Sequence, residues 1–168
     1  MDKYKILLDN PYAFFKHKKE NLKETASYLL FFVFLFTALN ELSIRFGITK
    51  YVPKVGILES TVINSLSIIA GVMAIALILT VFVKSMKRAL FLTAYSFTPL
   101  FVFAWIPFAA ISMISIVWSL FFLGTGLHIK QKFSHKKSFS IVLLIVLAAL
   151  ALILISQNKI VPLIPTIS

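Results

Sequence analysis

The chain has 168 residues, 60% of them hydrophobic and 14% charged, with a mean hydropathy of +0.95 and a net charge of +11. A soluble domain carries about 25% charged residues, so this composition excludes a soluble catalytic domain and describes an integral membrane protein. The lack of cysteine excludes disulfides, thiol catalysis and thiolate metal sites, and positive charge set beside apolar spans points to anionic lipid headgroups rather than nucleic acid.

Residues 1–24 lack the early apolar run and small-residue cleavage site of a signal peptide. Asn10 and Pro11 predict a helix start, as N-cap and first helical residue. Such a helix would lie in the membrane interface with Tyr12, Phe14 and Phe15 dipping toward the acyl chains. Span one is predicted from Thr25 to Phe46, with Asn40, Glu41 and Arg45 emerging at its far side. Glu41 and Arg45 stand one turn apart and are spaced to pair with each other. The connection from Gly47 to Glu59 holds Lys50, Pro53, Lys54 and Gly56. Span two, Ser60 to Val83, is long enough to tilt, and Ser65, Ser67, Ala70, Gly71, Ala74 and Ala76 let a neighbouring helix approach. Lys84 to Arg88 then reads as a three-charge turn.

From Ala89 to Ile129 the chain holds no Asp, Glu, Lys or Arg. The run is about 41 residues against about 20 for one crossing, and as a single helix it would extend about 60 Å, so it must cross and return. Span three is predicted over Ala89–Ile106 and span four over Phe108–Leu127, with a bend at Trp105-Ile106-Pro107. Ser112, Ser115 and Ser119 share a face of span four as helix–helix contacts, and Gly124-Thr125-Gly126 thins its end. His128, Lys130, Lys132, His135, Lys136 and Lys137 form a basic loop. Span five runs from Ser138 to Ser156, and Gln157–Ser168 is a short tail.

The predicted fold is therefore all-α: a polytopic bundle of five transmembrane helices with an N-terminal interfacial helix. Its segments are 1–24, 25–156 and 157–168. In this plan thirteen of the lysines and arginines fall on the side of the N-terminus and four on the other. The positive-inside rule places the N-terminus in the cytoplasm and the C-terminus outside, in the cell membrane.

The sequence holds no convincing catalytic set. Acid–base work needs carboxylates or histidines that can meet, and spans two to five have none in their cores. His17, His128 and His135 all lie in basic segments, and zinc-peptidase, aspartyl-protease and Walker spacings are absent. No catalytic residue, cofactor or metal is predicted. The most informative stretch is Ala94-Tyr95-Ser96-Phe97-Thr98-Pro99. Pro99 frees the carbonyl of Tyr95, four residues back, and in lipid that group needs a partner. The hydroxyls of Ser96 and Thr98 are candidates, as are polar groups on adjacent spans. Two readings stay open for this kinked polar patch: a bend that packs helices, or a notch for a lipid or partner helix.

At this stretch the sequence resembles the Yip family, the five-span membrane proteins named for interaction with Ypt/Rab GTPases. The resemblance rests on a Tyr-Ser pair followed by proline in span three (Tyr95, Ser96, Pro99). The prokaryotic branch is similar further along, through Asn10, Pro11, Phe14 and Phe15 at the start, Trp118 in span four, and Gly126-Leu127 before a basic loop. It covers roughly residues 8 to 156. Thr93 and Ala94 stand where the family has a glycine before the Tyr-Ser pair, and the long N-terminal region and acidic aromatic motif of eukaryotic members are missing, so Rab binding is not carried over. The resemblance implies a non-enzymatic membrane scaffold or organiser. Tyr95, Ser96, Pro99 and Trp118 would shape contact with a partner or lipid. Lys84, Lys87, Arg88, Lys130, Lys132, Lys136 and Lys137 would hold anionic headgroups. Small-residue faces on spans two and four allow a homo-oligomer. The alternative is a small transporter or permease subunit with a polar path lined by Glu41, Asn64, Tyr95 and the span-four serines.

Overall fold

The computed structural model describes residues 7–46, 57–106 and 108–160, and every regular element among them is a helix. The 47–56 connection with Lys50 and Lys54, Pro107 of the bend, the first basic residues Lys3 and Lys5, and the tail beyond Ile160 lie outside the described residues. Helix α1 is Pro11–His17. The Asn10 side chain accepts from the Ala13 N–H at 3.0 Å, and Pro11 sits where a missing N–H costs nothing. The expected helix start is therefore present. Its aromatic residues divide differently from the expectation. Tyr12 is 52% exposed, but Phe14 and Phe15 are buried in the protein. The bundle offers these two rings a closer-packed site than the acyl chains do.

Helix α2, Leu22–Arg45, begins three residues before the expected span. The reason is Asn21, whose side chain accepts from the N–H groups of Lys23 and Glu24 at 3.1 and 3.4 Å, while Glu24 suits the positive end of the helix dipole. Helix α3, Ile57–Val83, has 27 residues. It stops at Lys84, which takes a left-handed φ of 55°. Ser85 caps the next helix through the Arg88 N–H at 3.4 Å, so α4 runs Met86–Ser96. The charged turn expected over Lys84–Arg88 is thus two residues long, and Lys87 and Arg88 belong to the first turn of α4.

The third predicted span is not one helix. After α4 the chain turns at Phe97 and resumes as α5, Thr98–Phe103. Proline at position 99 cannot donate into the ladder. The bend after α5 is held by the Trp105 indole N–H, which donates to the Val102 carbonyl at 2.8 Å. Helix α6, Ala109–Gln131, then packs back on α5, so the long apolar run does reverse. It ends at Lys132, also left-handed with φ 54°, and α7 runs His135–Ile160.

Two glycines near the end of α6 set its neighbours' distances. A Cβ on Gly126 would stand 2.8 Å from a Leu92 methyl and 3.2 Å from the Phe15 ring, and one on Gly124 would stand 2.7 Å from the Phe139 ring. The bare backbone therefore admits α1 and α4 on one side and α7 on the other. Among the described residues three helices are long and apolar enough to cross a membrane: Leu22–Arg45, Glu59–Val83 and Ala109–Gln131. One part of the core lies where α1, α4 and α6 converge. Phe15, Phe91, Leu92, Tyr95, Phe122, Leu123 and Leu127 are all fully buried there.

Candidate functional site

The break between α4 and α5 lies beside this part of the core. Pro99 leaves the Tyr95 carbonyl without its helical donor, and the Thr98 hydroxyl donates to it at 2.7 Å. Of the two hydroxyls expected to serve, Thr98 does so. The Tyr28 hydroxyl, from α2, bonds the Thr98 oxygen in turn. Thr98 spends its single proton on the carbonyl, so Tyr28 is the donor. A side chain 70 positions away in the sequence thereby completes a relay that closes the backbone defect. The relay matters because an unsatisfied buried polar group costs about 1–3 kcal/mol.

Tyr95 has 0% exposure. Its ring centroid lies 4.2 Å from Tyr28, 4.9 Å from Phe91 and 5.1 Å from Phe14. The Lys18 ammonium stands 5.8 Å from the same centroid. Phe15 joins the cluster edge-on to Phe14 at 5.5 Å and to Phe91 at 6.1 Å. Such aromatic pairs add about 0.5–1.5 kcal/mol each beyond their burial. Helices α1, α2 and α4 are thus clasped around one tyrosine. Tyr95, Ser96 and Pro99 are covered by the chain itself, so any contact they govern is shaped from beneath. Trp118 is half-buried and apart from them, stacked on Phe103 at 6.0 Å and edge-on to Phe122 at 5.9 Å, where it joins α5 to α6.

Ser96, Ser115 and Ser119 make no hydrogen bond to another helix among the described residues. Ser115 donates to the carbonyl of Ile111 in its own helix at 2.7 Å. The buried hydroxyls of Ser96 and Ser119 have no hydrogen-bond partner among the described residues. Their contribution is small size, which lets helices approach.

The basic residues fall into two groups. Arg88 donates to Glu20 at 2.7 Å. Lys130 donates to the Lys18 carbonyl at 2.6 Å and lies 5.3 Å from the Phe91 centroid. Lys18 itself pairs with Glu24. These contacts hold α1 and the 18–21 connection over the aromatic cluster, and they offset the unfavourable placing of Arg88 at a helix N-terminus. Lys84, Lys87, Lys132, Lys136 and Lys137 are exposed, the last standing 4.4 Å over the Phe133 ring. The rings of His128 at the end of α6 and His135 at the start of α7 stack at 3.7 Å across the turn, and His128 Nδ1 meets the Phe133 carbonyl at 2.5 Å. No group of three metal-ligating side chains occurs among the described residues.

Glu41 is 7% exposed. It does not pair with Arg45, which is exposed at the end of α2. Instead its carboxyl accepts from the Ser60 hydroxyl of α3 at 2.8 Å, and the Asn64 amide reaches the same hydroxyl at 3.5 Å. Nearby, Ser65 donates to the Thr37 hydroxyl at 3.3 Å. This polar group joins α2 to α3, whereas Tyr95 is enclosed by aromatic rings. The polar path imagined for a permease joins residues that serve separate contacts.

The sequence drew attention to Tyr95, Ser96, Thr98 and Pro99 but not to Tyr28, Glu20 or Glu24. The two acids carried a signal: they are the carboxylates closest in sequence to a segment crowded with lysine. A family model described as the Yip1 domain matches residues 5–156. No curated protein and no solved structure matches the chain.

Proposed function

The chain belongs to the Yip1 domain family, and we propose that it is a non-enzymatic membrane scaffold that holds partner proteins or lipids within the bilayer. The observation that carries this reading is the use of the most distinctive stretch. Tyr95, Thr98 and Pro99 are spent on binding α1, α2 and α4 into one end of the bundle, and the adjacent Lys18 and Glu24 are spent on each other. In this reading the helices cross five times: α2, α3, the broken α4–α5 leg, α6 and α7. Residues 1–24 form the cytoplasmic segment, 25–156 the membrane domain and 157–168 an extracytoplasmic tail, with the protein in the cell membrane. The Lys/Arg asymmetry supports that orientation. So does the clustering of Arg88, Lys130 and the exposed lysines at one end of the bundle.

The exposed Lys84, Lys87, Lys132, Lys136 and Lys137 supply the contact with anionic headgroups, each worth about 1 kcal/mol near such a surface. Arg88 and Lys130 brace the fold beneath them. Trp118 and the small-residue faces of α3 and α6 offer sites for a partner helix or a second copy.

Thermal unfolding in neutral detergent, with phosphatidylglycerol or phosphatidylcholine added, tests the headgroup contact. A ligand that binds only the folded state raises its stability in proportion to occupancy. The expected result is a larger upward shift with the anionic lipid, reduced when Lys84, Lys132 and Lys136 are changed to glutamine. Equal shifts with the two lipids, or solute flux through liposomes containing the protein, would overturn the reading.

A further inference from the structure

The outer face of α2, at the same end as the aromatic cluster, carries a groove that neither the helix break nor the exposed lysines occupy. Its lining is Glu24, Ser27, Tyr28, Phe31 and Phe32, around about 310 Å³. That is the low end of the range for small-ligand sites, about 300–1,000 Å³. The five positions recur at intervals of three and four, so they form one stripe along the helix. Polarity changes along the stripe. Glu24 and Ser27 stand at the start of α2, and Phe31 lies about 10 Å further along the axis, at 1.5 Å per residue. That is the step from the headgroup layer into hydrocarbon, so the groove has the profile of an amphiphile rather than of a soluble molecule.

The polar end offers a carboxylate acceptor, in a segment that also exposes Lys19 and Lys23. In a chain of net charge +11, Glu20 is taken up by Arg88, while Glu24 keeps 40% of its side chain exposed and its partner Lys18 only 13%. The cation is turned inward and carboxylate surface is left at the mouth. A carboxylate there accepts hydrogen bonds from an ammonium. Ser27, one turn on and exposed, can donate to a phosphate oxygen. The apolar end is aromatic. Phe31 and Phe32 meet edge-on at 5.3 Å, and Phe32 lies 4.6 Å from Tyr28. Tyr28 is held in place by its bond to Thr98, so the floor of the groove is fixed by the same relay that closes the break.

We propose that this groove binds a phospholipid with an ethanolamine headgroup: the ammonium on Glu24, a phosphate oxygen on Ser27, and an acyl chain along Phe31 and Phe32. The inference needs the chain in a bilayer but not the scaffold role. Its charge preference at Glu24 is opposite to that at the exposed lysines, so either can fail alone.

Full-length protein in nanodiscs of mixed phosphatidylethanolamine, phosphatidylcholine and phosphatidylglycerol, analysed by native mass spectrometry after partial delipidation, tests it. The ethanolamine lipid is expected to be retained several-fold over phosphatidylcholine. Glu24→Gln should bring it down to the phosphatidylcholine level, while phosphatidylglycerol retention should not fall with it. Ser27→Trp fills the groove without touching a charge and should give the same loss. Equal retention of the two zwitterionic lipids by the parent protein would overturn the assignment, as would an ethanolamine preference that survives both variants. A dimer lost in Ser27→Trp with lipid retention unchanged would assign the groove to a second copy instead.

Discussion

The two halves of α2 solve the same problem in different ways. Near its start, Tyr28 donates to Thr98 so that a carbonyl released by proline is not left bare, and an aromatic cluster shuts the site. Near its end, Glu41 and Thr37 accept hydrogen bonds from Ser60 and Ser65 of α3. The first arrangement repairs a backbone defect and ties three elements together. The second joins two helices side chain to side chain. In a membrane interior both satisfy polar groups that lipid cannot, but only the first is locked in by volume. The start of α2 should therefore be dominated by packing, and the end by hydrogen bonds.

The largest effect should come from emptying the aromatic cluster. Phe15→Ala removes a fully buried ring between α1, α4 and α6, and truncating such a ring costs about 3–5 kcal/mol. Phe34→Ala, on a ring 70% exposed on the same α2, should stay within about 0.5 kcal/mol. Reversible unfolding in mixed detergent micelles measures both. Similar values for the two would mean that the cluster is not the organising core.

Next is the relay. Thr98→Val is nearly isosteric but strands the Tyr95 carbonyl, at about 1–3 kcal/mol. Adding Pro99→Ala returns a backbone N–H to that carbonyl, so the double variant should recover most of the loss. If Pro99→Ala gives no rescue, the cost of Thr98→Val lies in packing rather than in the freed carbonyl. At the other end of α2, Ser60→Ala strands the buried Glu41 carboxyl and should cost about 1–3 kcal/mol, with no proline variant able to restore it. A loss as large as that of Phe15→Ala would erase the contrast between the two halves.

Much of this contrast could be read in the sequence, and the part that could not has a physical cause. The helical class, the reversal after Trp105, the Asn10 cap and the need of the Tyr95 carbonyl follow from local rules: apolar length, capping chemistry and the missing proline N–H. The cap at Asn21 was equally local, since an Asn followed three residues later by Glu marks a helix start. Tyr28 was not legible, because nothing in a sequence says which of several tyrosines will meet a hydroxyl 70 positions away. The fate of Phe14 and Phe15 was misread for a related reason. An aromatic stripe suits either lipid or a protein cleft, and Gly126 had to bring α6 close before the cleft existed. Glu41 went to Ser60 rather than Arg45 because a neighbour on another helix outcompeted one on its own.

The smallest expected effect concerns the caps that join this end of the bundle to the lipid surface. Lys84 and Lys132 end α3 and α6 with φ of 55° and 54°, in a region that favours glycine because a Cβ crowds the following carbonyl. Lys132→Gly should relieve that strain, while the extra freedom of glycine in the unfolded chain takes part of the gain back. A net stabilisation of up to about 1 kcal/mol follows in neutral detergent. Lys132→Gln keeps the strain and removes the charge, so it should leave stability in neutral detergent nearly unchanged. If Lys132 holds an anionic headgroup, both variants should lose the same share of the phosphatidylglycerol-induced melting shift despite their different stabilities. Equal melting temperatures in neutral detergent would show that the left-handed cap costs this fold nothing. Unequal losses of the lipid shift would show that the backbone, not the charge, sets the contact with the headgroup.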